Sequence, residues 1–473
     1  MAIFLPNEIW GQIFSHLKVV LQDEYRDLEP LKTLTALSLV SRRFHNLAHT
    51  ALYHTLLLWG LNDSYFDDRH DLHFLLAKTL ANNPQLGLST REISFAHGNL
   101  SIEHDVINLL GHKIGSLNMS SEFTNLLQRD IMFGQRGSGV ASFLLALMPR
   151  VRLVELYFYK ESSLALPYIL GGRLSQDTIK PHTVANHLHH LQELRITSAQ
   201  GQSCVNIDDF ELILLHPTLR TLQLSGLDWT ENKIMDMEWP DYPCNLRQLD
   251  LDECIVDAST MRDVLSRCTK LEISTISARS HGIAGQIPYR DWNMDLNEFG
   301  DVLRELGQNL VEFELDTWAY RRVRDARGKV GSLQSLKAVT HLSIARNDFV
   351  VAEDDPRAIP LVEALPTSIE IVDFKGDVID SQMGHEEYRH EKMHDEMYRL
   401  AVGGQFHSLR AMTLFRPGIP RQHRFQRKVL GWDVEDTPSV VGSAFEALEY
   451  PYHVDMTLYM QRRDDGSEGV QES

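Results

Sequence analysis

The sequence predicts an α/β protein in which a small all-α module precedes a solenoid of stacked strand-and-helix repeats. Two patterns lead to this prediction. Apolar residues recur at steps of three and four in residues 5–17 and 31–58, as they do in amphipathic helices. Further along, the pattern L-x-x-L-x-L, with another large apolar residue at some of the Leu positions, returns repeatedly between residues 153 and 414, and a recurring short unit is typical of repeat architectures.

The composition narrows the classes of function. The chain has 473 residues, with 46 Lys and Arg against 65 Asp and Glu, which gives a formal net charge of −19 at pH 7. This excess of acid disfavours sequence-independent binding to nucleic acid or to anionic membranes. Four cysteines in so long a chain indicate a reducing compartment, and the N-terminus lacks the pattern of a secretory signal. We therefore expect a protein of the cytoplasm or nucleus, with neither nucleic acid nor membrane as a partner.

The N-terminal segment LPNEIWGQIFSHL, residues 5–17, predicts the first helix. Pro6 suits the first helical turn, where its missing N–H costs nothing, and Ile9, Ile13 and Leu17 recur every four residues. A second amphipathic pattern follows over residues 31–58. These stripes carry more apolar surface than a module of about 60 residues can bury alone. We therefore expect the module to dock on the rest of the chain or on a partner.

Together, the two segments resemble the F-box family. The first matches LP-x-E-I/L-x-x-x-I-F-x-x-L, and LSLVSRRFHNLA, residues 37–48, matches the second half, L-x-x-V-S-R-x-F/W-x-x-L-A. The connection Lys18–Lys32 is longer than is usual in the family. It is either an insertion that leaves the helices in place or one that alters adaptor binding.

The resemblance implies that the module binds a Skp-type adaptor and, through it, the cullin and RING subunits of a ubiquitin ligase. An apolar helical stripe laid into a partner groove is a common mode of recognition. The alternative is that the same stripes, which include Leu39, are the core of an N-terminal helical cap. The residues that the resemblance assigns to the adaptor are Leu5, Pro6, Ile9, Ile13, Leu17, Val40, Ser41, Arg42 and Phe44.

The repeated pattern covers most of the remaining chain. Clear copies are LVELYF (153–158), LQELRI (191–196), LRTLQL (219–224), LRQLDL (246–251), LVEFEL (310–315), VTHLSI (339–344), IEIVDF (369–374) and LRAMTL (409–414). Weaker copies are TREISF (90–95) and LEISTI (271–276), in which Ser274 replaces an apolar residue. Residues 246–268 resemble the cysteine-containing leucine-rich repeat, with Cys254 and Cys268 at its cysteine positions. We therefore expect a leucine-rich-repeat solenoid, or horseshoe, with parallel strands on the concave side and helices outside.

Strand periodicity predicts a binding surface on this solenoid. In L-x-x-L-x-L-x the third, fifth and seventh positions point away from the core. These positions are acidic in the middle of the array, and an acidic strip favours a basic ligand segment. The alternative is an ordinary solvated strand face. The predicted target-binding residues are Tyr157, Tyr159, Asp250, Asp252, Glu312, Glu314, Asp316 and Trp318.

One motif suggests enzyme chemistry. His390, Glu391 and His394 match H-E-x-x-H, in which two histidines on one helical face hold zinc and the glutamate is the general base. The residues that follow supply no third ligand at the usual spacings, so a metallopeptidase is a remote alternative. We expect no metal, no cofactor and no catalytic residue.

These patterns predict four segments: an F-box-like helical module at 1–59, a connecting helical segment at 60–88, the repeat solenoid at 89–460 and a disordered tail at 461–473. The resemblance implies a substrate-recognition subunit of an SCF-type ubiquitin ligase that holds a target protein with its repeats. A leucine-rich-repeat scaffold unconnected with ubiquitin is the alternative.

Overall fold

The computed structural model divides the chain into two compact units. Unit 1 comprises Met1–Leu227 and Asn232–Leu246, and unit 2 comprises Asp228–Glu231 and Arg247–Ser473. The residues that the structure describes are 6–17, 29–58, 71–96, 104–117, 119–133, 136–158, 164–171, 188–198, 205–239, 243–277, 294–317, 328–350, 359–375, 386–420, 428–438 and 453–463.

Unit 1 begins with three helices and continues into alternating helices and strands. The helices are α1 (Asn7–Ser15), α2 (Glu29–Val40), α3 (Arg42–Leu52), α4 (Asp71–Asn82), α5 (His104–Ile114), α6 (Ser121–Phe133), α7 (Arg136–Ala146) and α8 (Ala165–Gly171). The strands are β1 (Thr55–Leu57), β2 (Glu92–Ala96), β3 (Leu153–Phe158), β4 (Glu193–Ser198), β5 (Val205–Asn206), β6 (Thr221–Ser225) and β7 (Leu227–Asp228), whose last residue belongs to unit 2. Short 3-10 helices span Pro84–Ser89, Asp208–Leu215 and Ile234–Asp236.

The strands of unit 1 form a parallel sheet in the order β1, β2, β3, β4, β6. The register places Ile93, Val154, Leu194 and Leu222 beside one another on consecutive strands, and each is at most 2% exposed. Such a row buries one apolar side chain per strand against its neighbours, which is why a single repeat cannot fold alone.

Polar side chains just before several strands donate hydrogen bonds to backbone carbonyls in the turn before the preceding strand of the sheet. Thr218 donates from Oγ1 to the carbonyl of Leu191 at 2.7 Å, and Asn245 donates from Nδ2 to the carbonyl of Pro217 at 2.7 Å. In unit 2, Asn309 makes the corresponding bond to the carbonyl of its preceding turn at 2.8 Å. These bonds satisfy turn carbonyls that strand pairing leaves open.

Unit 2 contains the remaining elements. Its helices are α9 (Ala258–Arg267), α10 (Leu296–Leu306), α11 (Arg346–Phe349), α12 (Leu361–Ala364) and α13 (Glu386–Val402). Its strands are β8 (Gln248–Asp252), β9 (Ile273–Ser277), β10 (Glu312–Asp316), β11 (His341–Ala345), β12 (Ile371–Lys375), β13 (Ala411–Pro420), β14 (Trp432–Pro438) and β15 (His453–Arg462).

The sheet of unit 2 is mixed. Strands β8 to β13 are parallel in chain order, and then β15 pairs antiparallel with β13 and β14 with β15. The antiparallel end departs from the expected all-parallel array. Its physical reason is that a last parallel strand has unpaired N–H and C=O groups along one edge, and β15 covers that edge of β13. Strand β15 also runs to Arg462, two residues into the predicted tail, whose remaining residues from 464 lie outside the described ones.

Every copy of the six-residue pattern coincides with a strand of the structure. The clearest predicted unit, residues 246–268, contains β8 and α9, and its Cys254 and Cys268 are buried. Helix α9 begins where Asp257 accepts a hydrogen bond from the backbone N–H of Thr260 at 2.7 Å, a side-chain cap that satisfies an open N–H. No helix in the described part of the chain is long and apolar enough to cross a membrane.

Strand β1 follows α3 after Tyr53 and His54 and lies inside the predicted N-terminal segment. It pairs with β2, with Thr55 opposite Glu92. Helix α4 falls in the predicted connecting segment. The helical module therefore continues directly into the sheet of unit 1.

The polar residue in the weak repeat copy yields a stability prediction. Ser274 is fully buried between Leu249 and Phe313 of the adjacent strands, and its Oγ has no hydrogen-bond partner among the described residues. We expect Ser274→Ala to raise the free energy of unfolding by about 1 kcal/mol, because a desolvated, unbonded hydroxyl is removed at little cost in packing. Denaturant unfolding of both variants and the control Thr275→Ala, on the outward side of the same strand, measures this. A loss of stability in Ser274→Ala alone would contradict it.

Candidate binding surfaces

The three N-terminal helices enclose a small apolar core. Phe14 of α1, Leu34 of α2 and Ala48 of α3 are each at most 1% exposed. The side chains packed around them are Trp10, Leu17, Leu37, Phe44, Leu47 and Leu52. The module therefore covers the inner part of its apolar stripes with its own residues.

Aromatic rings form the contact between α1 and α3. The ring centroids of Trp10 and Phe44 are 4.8 Å apart, and Phe14 meets Phe44 edge-on at 5.7 Å, arrangements that favour aromatic pairs. Phe44 and Leu17, which the resemblance assigns to the adaptor, are half-buried against this core. Much of their apolar area is thus used inside the module.

The junction between α2 and α3 is held beside the start of α1. Ser41 caps α3, since its Oγ accepts a hydrogen bond from the backbone N–H of Phe44 at 3.1 Å. Arg43 donates from Nε to Oδ1 of Asn7 at 2.6 Å. Because Asn7 begins α1, this bond places the first turn of α1 next to the α2–α3 junction. No local sequence pattern predicts this pair, because its members are 36 positions apart.

Four large apolar side chains remain open on these helices. Ile9 and Ile13 of α1 are 39% and 41% exposed, and Leu39 and Val40 at the end of α2 are 82% and 65% exposed. We call these four residues the apolar docking surface. Pro6 and Arg42 are exposed beside it, and Leu5 lies outside the described residues. Exposed apolar residues grouped on one small module are typical of interaction sites.

The connection between the first two helices, predicted as Lys18–Lys32, ends earlier in the structure than the sequence pattern indicates. Helix α2 begins at Glu29, so the last four residues of the predicted Lys18–Lys32 connection are helical. Lys32 forms an ion pair with Glu29 at 2.5 Å on that first turn. Residues 18–28 lie outside the described ones.

Comparison with known protein families identifies this module. Residues 3–59 match the model of the F-box-like family. The chain carries an F-box-like domain at its N-terminus. Among solved structures, one chain of the complex of Rad7 and Elc1 in yeast is 14% identical, with 75% of this chain and 94% of that chain covered and a TM-score of 0.25. A comparison with curated proteins gave no match.

The outward side of the unit 2 strands carries opposite charges in close register. Asp250, Thr275, Glu314, Ser343 and Asp373 lie beside one another on consecutive strands. We call the charged residues of this side the acidic strand face. Its members are Asp250, Asp252, Glu312, Glu314, Asp316, His341, Asp373 and Lys375.

The prediction that Asp316 belongs to the accessible target-binding strip is wrong. Its side chain is fully buried and lies 3.7 Å from the ammonium group of Lys375, which also bonds to Oε1 of Glu314 at 2.5 Å. The physical reason is that a carboxylate taken out of water needs a cation, and Lys375 on β12 supplies it. Asp250, Asp252 and Glu314 are half-buried and Glu312 is exposed, so these four remain within reach of a ligand.

The predicted aromatic anchors are described only in part. Tyr157 of β3 is half-buried, and its hydroxyl lies 3.5 Å from Oε1 of Glu155. Glu155 is itself buried and accepts a hydrogen bond from Ser94 at 2.5 Å. Tyr159 and Trp318 lie outside the described residues.

The H-E-x-x-H segment lies in helix α13. His394 is half-buried, and the side chains of His390 and Glu391 are outside the described part. Further along the same helix, both oxygens of Glu396 bond to Arg346 at 2.7 Å, and both partners are buried. This helix is therefore anchored to α11 by a buried ion pair. In the described part of the chain, no group of three or more His, Cys, Asp or Glu side chains is placed to hold a metal ion.

A histidine–carboxylate pair makes the acidic strand face sensitive to pH. His341 Nε2 lies 2.9 Å from Oδ2 of Asp373, with each side chain about one-third exposed. The hydrogen bond to Asp373 raises the pKa of His341 above 6.5, aided by the charges of Asp373, Glu312 and Glu314 and opposed by desolvation. Burial acts to raise the pKa of Asp373, but hydrogen bonds from His341 and Thr413 and the charges of His341 and Lys375 outweigh it, so that this pKa lies below 3.8.

These shifts predict a pH-dependent contribution to stability. The raised pKa of His341 gives a stabilisation that is fully present below pH 6.5 and is lost as the pH rises through the folded-state pKa. We therefore expect His341→Gln to be less stable than the wild type in mildly acidic solution and equally stable in alkaline solution. Denaturant unfolding across that range measures the difference, with His407→Gln, at an exposed histidine of the same unit, as the control. A difference that is constant with pH would contradict the prediction.

Proposed function

We propose that this chain is the substrate-recognition subunit of an SCF-type ubiquitin ligase. The observation that carries the proposal is the apolar docking surface on the F-box-like domain: Ile9, Ile13, Leu39 and Val40 stay open although the domain has a closed core of its own. In this proposal a Skp-type adaptor covers these residues and connects the chain to cullin and RING subunits.

The energetics of covering this surface favour a partner. Complete burial of one Ile or Leu side chain is worth about 1.5–3 kcal/mol, and the four residues are between 39% and 82% exposed. The hydrogen bond between Arg43 and Asn7 fixes the two parts of the surface relative to each other, so little ordering is needed on binding. Ser41 contributes by capping α3, and exposed Arg42 and Pro6 would lie at the rim of the contact.

We further propose that the repeated strands form a leucine-rich-repeat solenoid that holds the target protein. Support comes from the coincidence of every L-x-x-L-x-L copy with a strand and from the buried apolar rows within each unit. The acidic strand face would hold the target, because Asp250, Asp252 and Glu312 offer carboxylates to a basic segment.

In this proposal the chain makes and breaks no bonds itself. It raises the rate of ubiquitin transfer by proximity, because a target lysine held near the charged conjugating enzyme reacts at a high effective concentration. The specificity of the reaction would then depend on which target the strand face accepts.

Variants of the docking surface test adaptor binding. We expect Ile9→Asp and Leu39→Asp each to weaken binding of a Skp-type adaptor by about 30-fold or more, because each places a charge in an apolar contact that excludes water. Both side chains are exposed in the free chain, so folding should be preserved. Titration calorimetry with a purified adaptor measures the change.

The matched control is Leu430→Asp, since Leu430 is 99% exposed but lies in unit 2. It should leave adaptor binding unchanged. Unaltered binding in both Ile9→Asp and Leu39→Asp would overturn the proposed adaptor contact.

The continuity of α3 with β1 supports a second candidate function. Because β1 pairs with β2, the three helices also stand at the first strand of the unit 1 sheet, as a cap would. In a scaffold unconnected with ubiquitin, the helices would serve only this purpose. Failure of the wild-type chain to co-purify with a Skp-type adaptor from cells would favour the scaffold.

Capture of the target tests the acidic strand face. We expect proteins captured by the wild-type chain to become more abundant when the proteasome is inhibited and to be lost from the double variant Asp250→Lys/Glu312→Lys, because reversed charge repels a basic segment. Quantitative mass spectrometry of the captured proteins measures both effects. The control is Glu305→Lys, which reverses an exposed charge on helix α10 instead. An identical set of captured proteins in all variants would contradict target binding at this face.

A further inference from the structure

Cationic side chains gather at the edge of unit 1 where the strands begin. One arginine stands immediately before each of three strands: Arg91 before β2, Arg152 before β3 and Arg220 before β6. The backbone N–H of Arg152 donates to the carbonyl of Arg91 at 2.6 Å, that of Gln192 to Arg152 at 2.8 Å, and that of Arg220 to Gln192 at 2.8 Å. The three arginines therefore follow one line across the strands, over three strand intervals of about 4.8 Å each.

Three more ionisable groups flank this line. Arg150, His189 and His190 are exposed, as are Arg152 and Arg220, and the rings of the two histidines are 4.1 Å apart. We call these six residues the basic edge: Arg91, Arg150, Arg152, His189, His190 and Arg220.

The members of the basic edge repel one another. Desolvation lowers the pKa of His190, and the charges of His189, Arg152, Arg91 and Arg150 lower it further. Desolvation and the charges of Arg150 and Arg152 likewise lower the pKa of Arg91. No carboxylate is among the groups that shift either pKa. Like charges held together at a surface cost free energy, and a bound anion would recover it.

The arginines of the basic edge are not neutralised by ion pairs among the described residues. Within the described ranges, Arg150, Arg152 and Arg220 have no ion-pair partner. Glu193, at the start of β4, is held by Arg195 at 2.5 Å. Arg91 donates from Nη1 to the carbonyls of its own turn at 2.8 and 2.9 Å. The cations of this edge therefore remain available to a ligand.

In unit 2, the arginines immediately before strands form ion pairs. Arg247, before β8, pairs with Glu272 at 2.6 Å, and Arg410, before β13, pairs with Glu370 at 3.3 Å. The arginines that precede strands are thus neutralised in unit 2 and left open in unit 1, in a chain whose formal net charge is −19. This contrast separates the basic edge from an ordinary solvated arginine position.

We propose that the basic edge binds an extended, Asp- and Glu-rich segment of a partner protein. The line of arginines fits an extended chain, in which alternate side chains point the same way about 6.6 Å apart, better than it fits a single compact anion. Arginine suits this ligand because its guanidinium group can bond a carboxylate with two parallel N–H groups. The net negative charge of the whole chain repels a long nucleic acid, with one charge on every nucleotide, more strongly than it repels a short acidic segment. This binding goes beyond the proposed function and needs no adaptor.

Fluorescence anisotropy with the full chain tests the proposal. The probe is a labelled peptide of alternating Glu and Ser that is long enough to cover the line, and the same peptide with Gln for Glu is its neutral control. We expect the acidic peptide to bind at low ionic strength, the neutral one not to bind, and Arg152→Glu/Arg220→Glu to weaken binding about tenfold or more. Arg410→Glu, which alters a paired arginine of unit 2, should bind as the wild type does.

A second variant, Arg152→Gln/Arg220→Gln, removes the two charges without reversing them and is used in case the charge reversal impairs folding. Circular dichroism checks that it folds. We expect it also to weaken binding of the acidic peptide. Wild-type affinity in this variant would overturn the proposal, and so would equal affinity for the neutral peptide. Tighter binding of labelled oligothymidylate than of the acidic peptide would overturn it in favour of a nucleic-acid site. Because the isolated chain is used, these outcomes do not depend on whether a Skp-type adaptor binds.

Discussion

The alternation of side chains along each strand is the constraint on which both units depend. Inward positions are apolar in most strands, because each strand buries them against its neighbours in register, as Phe313 and Leu342 do in unit 2, and Ser274 is the polar exception in this row. This requirement fixes which positions within each copy of the pattern are apolar, but leaves the outward positions and the strand starts free to vary. The charged surfaces of the protein lie at those free positions, where a residue can change without disturbing the core.

In the F-box-like domain, the apolar residues of α1 are divided between a buried core and an exposed surface. Its aromatic contacts use one part of the apolar stripe of α1, through Trp10 and Phe14, and leave Ile9 and Ile13 exposed next to them. An apolar stripe of this width is normally covered by neighbouring elements across its whole width. The domain therefore encloses a core of its own and still presents exposed apolar side chains.

Sequence periodicity predicted the elements well, because period and burial are local properties. Apart from the short strands β5 and β7, each strand from β2 to β13 begins within a copy of the six-residue pattern, and α1 lies inside its predicted segment. Asp316 could not be predicted correctly, because the lysine that neutralises it is 59 positions further along the chain. The same holds for Phe44, whose burial depends on Trp10, and for Glu396, whose partner Arg346 is 50 positions away. Local pattern gives the direction of a side chain along a strand, but only the fold gives its neighbours.

Charge is distributed unevenly between the two units, and this unevenness has a physical consequence. In unit 2 the outward strand positions are acidic and the arginines before strands are paired, whereas in unit 1 the arginines before strands are open. A surface of one sign accelerates the encounter with a partner of the opposite sign and repels others. Because exposed charges are screened by salt over about 8–10 Å, such recognition would rely on the number of contacts rather than on the strength of any single ion pair.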